Sequence, residues 1–406
     1  MTQDFKRFYS RRTERMRVSE IRVILRVIEE KGVISLAGGL PDPNLFPKKE
    51  LSEIASYVIR EYGSAALQYS ITRGVTLFRK TLSYFMSTKD INVPPDNILV
   101  TTGSQQALDL ISRALIDPGD LIAVELPTYL AALNAFMLSE PQFIGIPIDD
   151  NGMRVDILEE KLRKLKSEGK KIKMVYTVPT AQNPSGITMS QDRRKHLLEL
   201  AEQYDFIIVE DDPYSHFLFE PIEFKHLKAM DKNGRVIYLS TFSKILAPGL
   251  RIGWVAAHED FISILERAKQ NLDLHTPTLS QYIAMEAIKR GVIDKYIPVM
   301  RDTYKRKRDV MLEALETYFP QGCRWTHPVG GLFVFAYVPE SIDTKKMLLK
   351  AIDAGVAYVP GRAFFVDGSG WNTMRLNFSY PPEEKIVEGI RILGKVIKDE
   401  LGLKFS

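Results

Sequence analysis

The segment TFSKILAPGLRIGW, residues 241–254, sets one lysine among small hydroxyl residues directly after a short apolar run. Such runs read as buried strands, and in a doubly wound sheet ligands bind beyond the strands' carboxyl ends, so Lys244 is aimed at a crevice. An amine desolvated there, with Arg251 as a cationic neighbour, has a lowered pKa, and the neutral amine can attack an aldehyde to form a Schiff base. Thr241, Ser243 and Arg251 supply hydroxyl and guanidinium donors suited to a phosphate, the arginine as a bidentate fork. Alone, a loop lysine of this kind is most often a surface residue; its neighbours change the reading.

Three other positions carry groups that could do chemistry, two of them at strand ends and one within a strand. Asp211 follows FIIVE, 206–210, where a carboxylate could be a metal ligand, a base or a cofactor partner. Asp212 competes with it, one residue on and pointing elsewhere if the chain is extended, with a turn or cap before Pro213 as its plainer reading. In TTGSQQALDL, 101–110, Gly103 and Ser104 fall at a strand-to-helix turn. Unpaired backbone N–H groups and the positive helix end attract an anion there, although Ser104 could equally be a simple helix cap. Arg375, in the alternating stretch MRLNFSY, points inward from a half-buried strand and needs an anion, which could be a ligand or one of the 51 acidic residues.

The elements that must hold these groups follow from the apolar pattern. NILVT (97–101), LIAVE (121–125), QFIGIP (142–147), KMVYTVP (173–179), FIIVE (206–210), VIYLST (236–241) and RIGWVAA (251–257) are short, rich in Val and Ile, and bounded by turn residues. Runs of this kind are strands buried on both faces of a parallel sheet. Helix-length patterns such as 104–116 and 189–204 alternate with them, which predicts an α/β, doubly wound architecture; RIGWVAA, following VIYLST after a short loop, could be antiparallel. After residue 277 a long helical stretch, Thr278 to Tyr318, is expected to break near Gly291. LFVFAYV, VAYVPG and MRLNFSY then read as strands of a smaller α+β unit closed by the helix KIVEGIRILGKVIKDEL. The expected division is an N-terminal segment, 1–45, packing on the small unit through the helix SEIRVILRVIEEKG and the extended GGLPDPNLFP; a large domain, 46–300; and a C-terminal domain, 301–406.

Composition narrows the function classes. The chain has 406 residues, 45% hydrophobic and 26% charged, with a formal charge of +4; that is ample for a core and weak for nucleic acid. The densest basic run, YKRKR from Tyr304 to Arg308, reads as a solvated helix face. A single cysteine, Cys323, permits no internal disulfide and fits a reducing, cytoplasmic setting. No Cys/His pattern suggests a metal, and no signal peptide or membrane span is expected.

Taken in order, GGLPDPNLFP, LQYS, TTGSQQALDL, PTY, QNPSG, VEDDPY, SKILAPGLRIGW and MRLNFSY make the chain resemble the fold type I, pyridoxal 5'-phosphate (PLP)-dependent aminotransferases of class I/II. The likeness runs from about Ser19 to the C-terminal helix and is greatest to the branch of kynurenine/2-aminoadipate and archaeal broad-specificity aromatic enzymes. It implies a large domain with a mostly parallel seven-stranded sheet, a smaller α+β domain, and PLP joined to Lys244. It further implies that Gly103, Ser104, Gln105, Thr241, Ser243 and Arg251 hold the phosphate, with Tyr69 reaching over from a partner subunit of a homodimer. By the same likeness Asp211 pairs with the pyridinium nitrogen, Asn183 and Tyr214 donate to the ring's phenolic oxygen, and Tyr129 stacks on the ring. Arg375 would grip the substrate α-carboxylate, Asn183 touching it too, and Gly39 would permit close approach.

The activity implied is ping-pong transfer of an amino group from an α-amino acid to a 2-oxo acid such as 2-oxoglutarate. The donor is 2-aminoadipate, aromatic, leucine-like or kynurenine, its side chain read near the N-terminal helix by Arg22 or another arginine. Two rival readings are another PLP enzyme of this fold, a lyase or decarboxylase, and the body of a PLP-sensing regulator. The regulator needs a DNA-binding module for which the stretch before GGLPDPN, with one helix, is too short.

Overall fold

A computed structural model describes residues 5–16, 24, 30 and 32–403. Most of the expected helix SEIRVILRVIEEKG, Arg22 included, lies outside the described residues. The fold is α/β. After β1 (Ile34–Ser35) come β2 (Ile98–Thr101), β3 (Leu121–Leu126), β4 (Gln142–Asp149), β5 (Gly152–Met153), β6 (Ile172–Thr177), β7 (Ile207–Asp211), β8 (Val236–Thr241) and β9 (Gly253–Ala256). The last eight form one sheet in the order β2-β9-β8-β7-β6-β3-β4-β5. The seven expected strands are all present; the eighth, β5, is a two-residue hairpin partner at the β4 edge.

Every pairing among β4, β3, β6, β7 and β8 is parallel, whereas β9 runs antiparallel to both β8 and β2. That arrangement delivers the site. The parallel strands end at one edge of the sheet, and β9 begins there, so Gly253 sits opposite both Thr101 and Thr241. The two phosphate-type segments, 101–105 and 241–251, therefore come from strands flanking β9. Phe242 anchors the loop after β8: its side chain is fully buried and packs on Trp254, with ring centroids 4.9 Å apart, and on Phe85 at 5.8 Å. Truncating a ring so placed costs about 3–5 kcal/mol, and here it would also loosen the residues on either side.

The long helical stretch divides at Gly291, which has φ of +66°, into Thr278–Lys289 and Val292–Tyr318. Beyond it, β10 (Arg324–Trp325), β11 (Phe333–Tyr337), β13 (Val359–Pro360) and β14 (Thr373–Asn377) form an antiparallel sheet in the order β10-β11-β14-β13. VAYVPG, expected as one strand, is two: β12 (Val356–Ala357) pairs with β1, and β13 pairs with β14. The chain changes sheets at Tyr358, whose buried hydroxyl donates to Thr344 O at 2.6 Å. The helix Glu383–Glu400 closes the chain against Val292–Tyr318.

The basic run YKRKR is not the solvated face expected. Tyr304, Lys307 and Arg308 are buried, because the 3.6-residue period turns them inward together with Met311. Lys307 Nζ donates to Asp42 Oδ2 at 2.7 Å and to Ser379 O at 3.0 Å, and Arg308 pairs with Glu220 and with Pro328 O. The Lys307–Asp42 pair, with the Asp42 N–H donating to Tyr304 Oη at 3.1 Å, fastens GGLPDP to the second half of the chain. Among the described residues no helix is long and apolar enough to cross a membrane.

Candidate active site

The helix Ser104–Leu115 starts straight from the β2 end with Gly103 at φ +76° and no side-chain cap on its first N–H groups. Ser104 therefore does not act as the ordinary N-cap; the Gln106 N–H turns back to Gly103 O at 3.2 Å, and no side chain caps the amides of Ser104 and Gln105 ahead of it. Across from them, Ser243 N–H donates to Thr241 Oγ1 at 3.1 Å, and the two hydroxyl oxygens lie 2.9 Å apart. Arg251, left-handed at φ +53° and exposed, sends Nη1 to Ser243 Oγ at 3.3 Å and Nη2 to Thr102 O at 3.4 Å. Glycine is required on both sides of this cradle. A Cβ on Gly103 would lie 2.3 Å from Arg251 Nη2, and one on Gly253 would lie 2.7 Å from Ser104 N. Gln105, exposed, donates to Ala131 O at 3.3 Å. Gly253 was not singled out from the sequence, although a glycine inside a strand signals close backbone approach.

Asp211 is the last residue of β7 and is buried. Its Oδ2 accepts from Tyr176 Oη at 2.8 Å, while Oδ1 is enclosed with no partner. Burial, with the charge of Asp212 added, raises its pKa to about 7 against the opposing Tyr176 bond. Tyr176 lies one residue from the end of β6, and in sequence it is only another aromatic within a strand. Asp212 turns away from this crevice: its oxygens accept from Ser215 N–H, Ser215 Oγ and Tyr238 Oη, none of them partners of Asp211. Tyr129, partly buried, is raised to about 12 by burial and then by Asp211, against Arg375 and Arg251. Tyr214 is buried beside Asn183, whose Nδ2 lies 3.4 Å from its hydroxyl; burial first, then Tyr129, raises its pKa.

Lys244 Nζ donates to Gly39 O at 2.7 Å, and burial followed by the charges of Arg375 and Arg251 lowers its pKa to about 8. Arg375, on β14 and 1% exposed, donates to Asn183 Oδ1 at 2.9 Å and to Ala37 O at 2.8 Å; its Nε has no partner. Burial brings it down to about 10, with Tyr214 and Tyr129 opposing. Its plane lies over Phe333, 4.3 Å from the ring centroid, and a Cβ on Gly39 would lie 3.3 Å from the same ring. Among the described residues no carboxylate pairs with Arg375, so the structural salt bridge considered from the sequence is not there. Ala37 and Phe333 were missed because a backbone carbonyl and a core phenylalanine carry no sequence signal of their own. Tyr69 alone stands apart: it is 79% exposed, its ring edge-on to His275.

One edge of the sheet thus gathers an anion cradle, a carboxylate with an unmatched oxygen, an amine of lowered pKa and, among the described residues, a buried guanidinium without an acid. This inventory fits PLP: a phosphate, a ring N–H to meet Asp211 Oδ1, and an aldehyde for Lys244. Fold and site together define a PLP-dependent enzyme of fold type I. The pattern of the family described as aminotransferase class I and II matches residues 33–393, and the chain belongs to that family. It is 56% identical to an uncharacterized aminotransferase of Saccharolobus solfataricus, covering 98% of this chain and 99% of that one. It is 55% identical to aromatic-amino-acid aminotransferase 1 of Thermococcus litoralis, covering 98% and 96%. Among solved structures it is similar to the Pyrococcus horikoshii kynurenine aminotransferase in complex with PMP, KYN and KYA. That match has a TM-score of 0.95 and 53% identity and covers 98% of each chain. The protein is a PLP-dependent aminotransferase.

Proposed function

We propose that this aminotransferase moves the amino group of an aromatic or kynurenine-type α-amino acid to a 2-oxo acid such as 2-oxoglutarate in two half-reactions, with 2-aminoadipate and leucine-like donors as poorer substrates. The observation that carries it is the buried guanidinium of Arg375, without a carboxylate, on the same side of the crevice as the Lys244 amine. The donor preference rests on the relatives named for aromatic amino acids and kynurenine.

When bound, PLP supplies an aldehyde to which amines join and a protonated ring that draws electrons from the substrate's Cα. The chain's own groups do the rest. Arg375 grips the α-carboxylate with its fork, releasing Ala37 O, and Asn183 shares that carboxylate. Gly103, Ser104, Gln105, Thr241, Ser243, Arg251 and Tyr69 of the partner subunit hold the phosphate. Tyr129 covers the ring, Asn183 and Tyr214 donate at its phenolic oxygen, and Asp211 holds the proton on its nitrogen. Lys244, its pKa lowered to about 8, is still mostly charged at neutral pH but gives up its proton far more readily than an ordinary lysine, and its neutral form takes the proton from Cα as general base. The exposed Leu67, Tyr69 and Ile71 suit burial against a second copy, and the lone Cys323 suits a reducing cytoplasm.

A panel of Phe, Tyr, kynurenine, Leu and 2-aminoadipate against 2-oxoglutarate tests the reading. Parallel double-reciprocal lines and kcat/KM highest for the aromatic donors and kynurenine are expected. A donor consumed with release of carbon dioxide, and without its 2-oxo acid, would point to the decarboxylase chemistry of the same fold.

A further inference from the structure

Behind the crevice, on the other side of the β7 end, lies a buried charge cluster to which the transfer reaction assigns no task. Residues 210 and 212 face it and residue 211 faces the site, as alternation along an extended chain requires. Asp212 is fully engaged. Its Oδ2 accepts from Ser215 Oγ at 2.7 Å and Tyr238 Oη at 2.8 Å, and its Oδ1 accepts from Ser215 N–H at 3.0 Å. Lys89, just past the helix Thr76–Ser87, reaches in from outside β7: its Nζ donates to Ser215 Oγ at 2.6 Å and lies 3.5 Å from Asp212 Oδ2. His226 Nδ1 is 3.8 Å from Asp212 and 3.4 Å from Glu210, and Arg194 Nη1 is 3.9 Å from Glu210. His216, stacked on Phe85, completes the groups that face the cluster.

We propose that Asp212, paired with Lys89, is a positioning residue for the reaction: its negative charge acts through Asp211 to hold the proton on the cofactor's ring nitrogen. A carboxylate one residue from Asp211 disfavours a second bare anion there and favours a cation just beyond it. That is the state in which Asp211 faces a ring N–H. Burial opposes the charge on Asp212, but Lys89, His226, Ser215 and Tyr238 outweigh it and hold its pKa well below the usual carboxylate range. Burial lowers the pKa of Lys89 even with Asp212 beside it. The Asp212 side chain is fully buried and that of Lys89 is 16% exposed; a pair so placed is often no more stabilising than an apolar plug of the same shape, and the proposal gives its charge a task in the site's field.

The inference rests on Asp211 as the ring-nitrogen partner, and the experiment separates the two. Apoprotein is prepared, PLP is titrated back by absorbance, and kcat is followed against pH in the reconstituted enzyme. Asp212→Asn should raise the PLP dissociation constant roughly tenfold and lower kcat by a similar factor, with donor KM within about twofold. Lys89→Met removes a counter-charge but leaves Asp212 ionised throughout the assay range, because its carboxyl is held so far below the usual carboxylate range, so PLP binding and kcat should stay within twofold of the wild type or improve. Lys89→Arg should match the wild type, and Lys89→Met added to Asp212→Asn should change neither quantity further. If Asp212→Asn lowers the apoprotein's melting temperature but leaves PLP binding and kcat within twofold, Asp212 is structural only and the proposal is overturned. Should Asp212→Asn fail to fold, the Lys89 variants decide it: if Lys89→Met weakens PLP binding and kcat tenfold, the packing of the pair and not the charge of Asp212 sets them, and the proposal is overturned. Asp211→Asn is the control: if that change also leaves PLP binding and kcat intact, the reading of Asp211 is what fails.

Discussion

The crevice at the strand ends and the charge cluster behind it are built from the same residue types, yet they are satisfied in opposite ways. In the crevice, Asp211 keeps one bare oxygen, Arg375 keeps a bare Nε, and Lys244 finds only a backbone carbonyl. In the cluster, every oxygen of Asp212 and Glu210 accepts a hydrogen bond from Ser215, Tyr238, Leu227 or Lys228, and the unmatched atoms are Arg194 Nη1 and His226 Nδ1, held near Glu210. A fold seldom leaves buried polar atoms unpaired, since each costs about 1–3 kcal/mol. Where several point into one space, that space is shaped for a ligand. Where they are paired among themselves, they set the field in which the ligand sits.

The contrast breaks first at Lys244. Lys244→Ala should cut turnover by at least about 10³-fold and leave PLP bound weakly as a free aldehyde. Borohydride should fix the label on the wild type and not on the variant; retained activity would remove the lysine from the mechanism. Arg375→Ala comes next, with a loss in kcat/KM of about 10²-fold borne mainly by the amino acid's KM, as two charge-assisted bonds disappear. Arg375→Lys should recover little, because a point charge cannot reproduce the fork. Asp211→Ala should fall below these, at about tenfold to 10²-fold, and in kcat rather than donor KM. A change confined to KM would mean that Asp211 touches the substrate and not the ring.

How much of this was legible in the sequence follows from where the information lies. The strands of the parallel sheet were readable because burial on both faces forces continuous apolar runs, and the groups at their ends inherit their position from those runs. Lys244, Asp211 and Ser104 needed nothing more to be placed at one edge. Tyr176 and Gly253 were not readable as site residues, since their role depends on which strand lies next to which: β6 beside β7, and β9 between β2 and β8. YKRKR was misread because charge alone suggests solvent, while the helical period turns three of its five residues inward and the distant Asp42 pairs with Lys307. VAYVPG hid a change of sheet at one buried tyrosine, which no local pattern announces.

The smallest expected effect is also the most direct comparison of the two regions, because it is read on apoprotein with no chemistry running. Asp211 has a folded pKa of about 7, above its unfolded value near 4. The folded state thus binds more protons between those limits, and stability falls as pH rises through them. Asp211→Asn should remove that cost and melt about 2 °C above the wild-type apoprotein at pH 8, with no difference at pH 4. Asp212 has a depressed folded pKa, so it contributes stability above its unfolded value that is lost only as pH falls through the folded one. Asp212→Asn should therefore melt lower than the wild type at pH 8. Adding PLP should turn the first difference around, because the cofactor binds the wild-type fold more tightly and stabilises it by mass action. Two identical substitutions at adjacent positions shifting the apoprotein in the same direction would mean that the crevice and the cluster are not the distinct environments described.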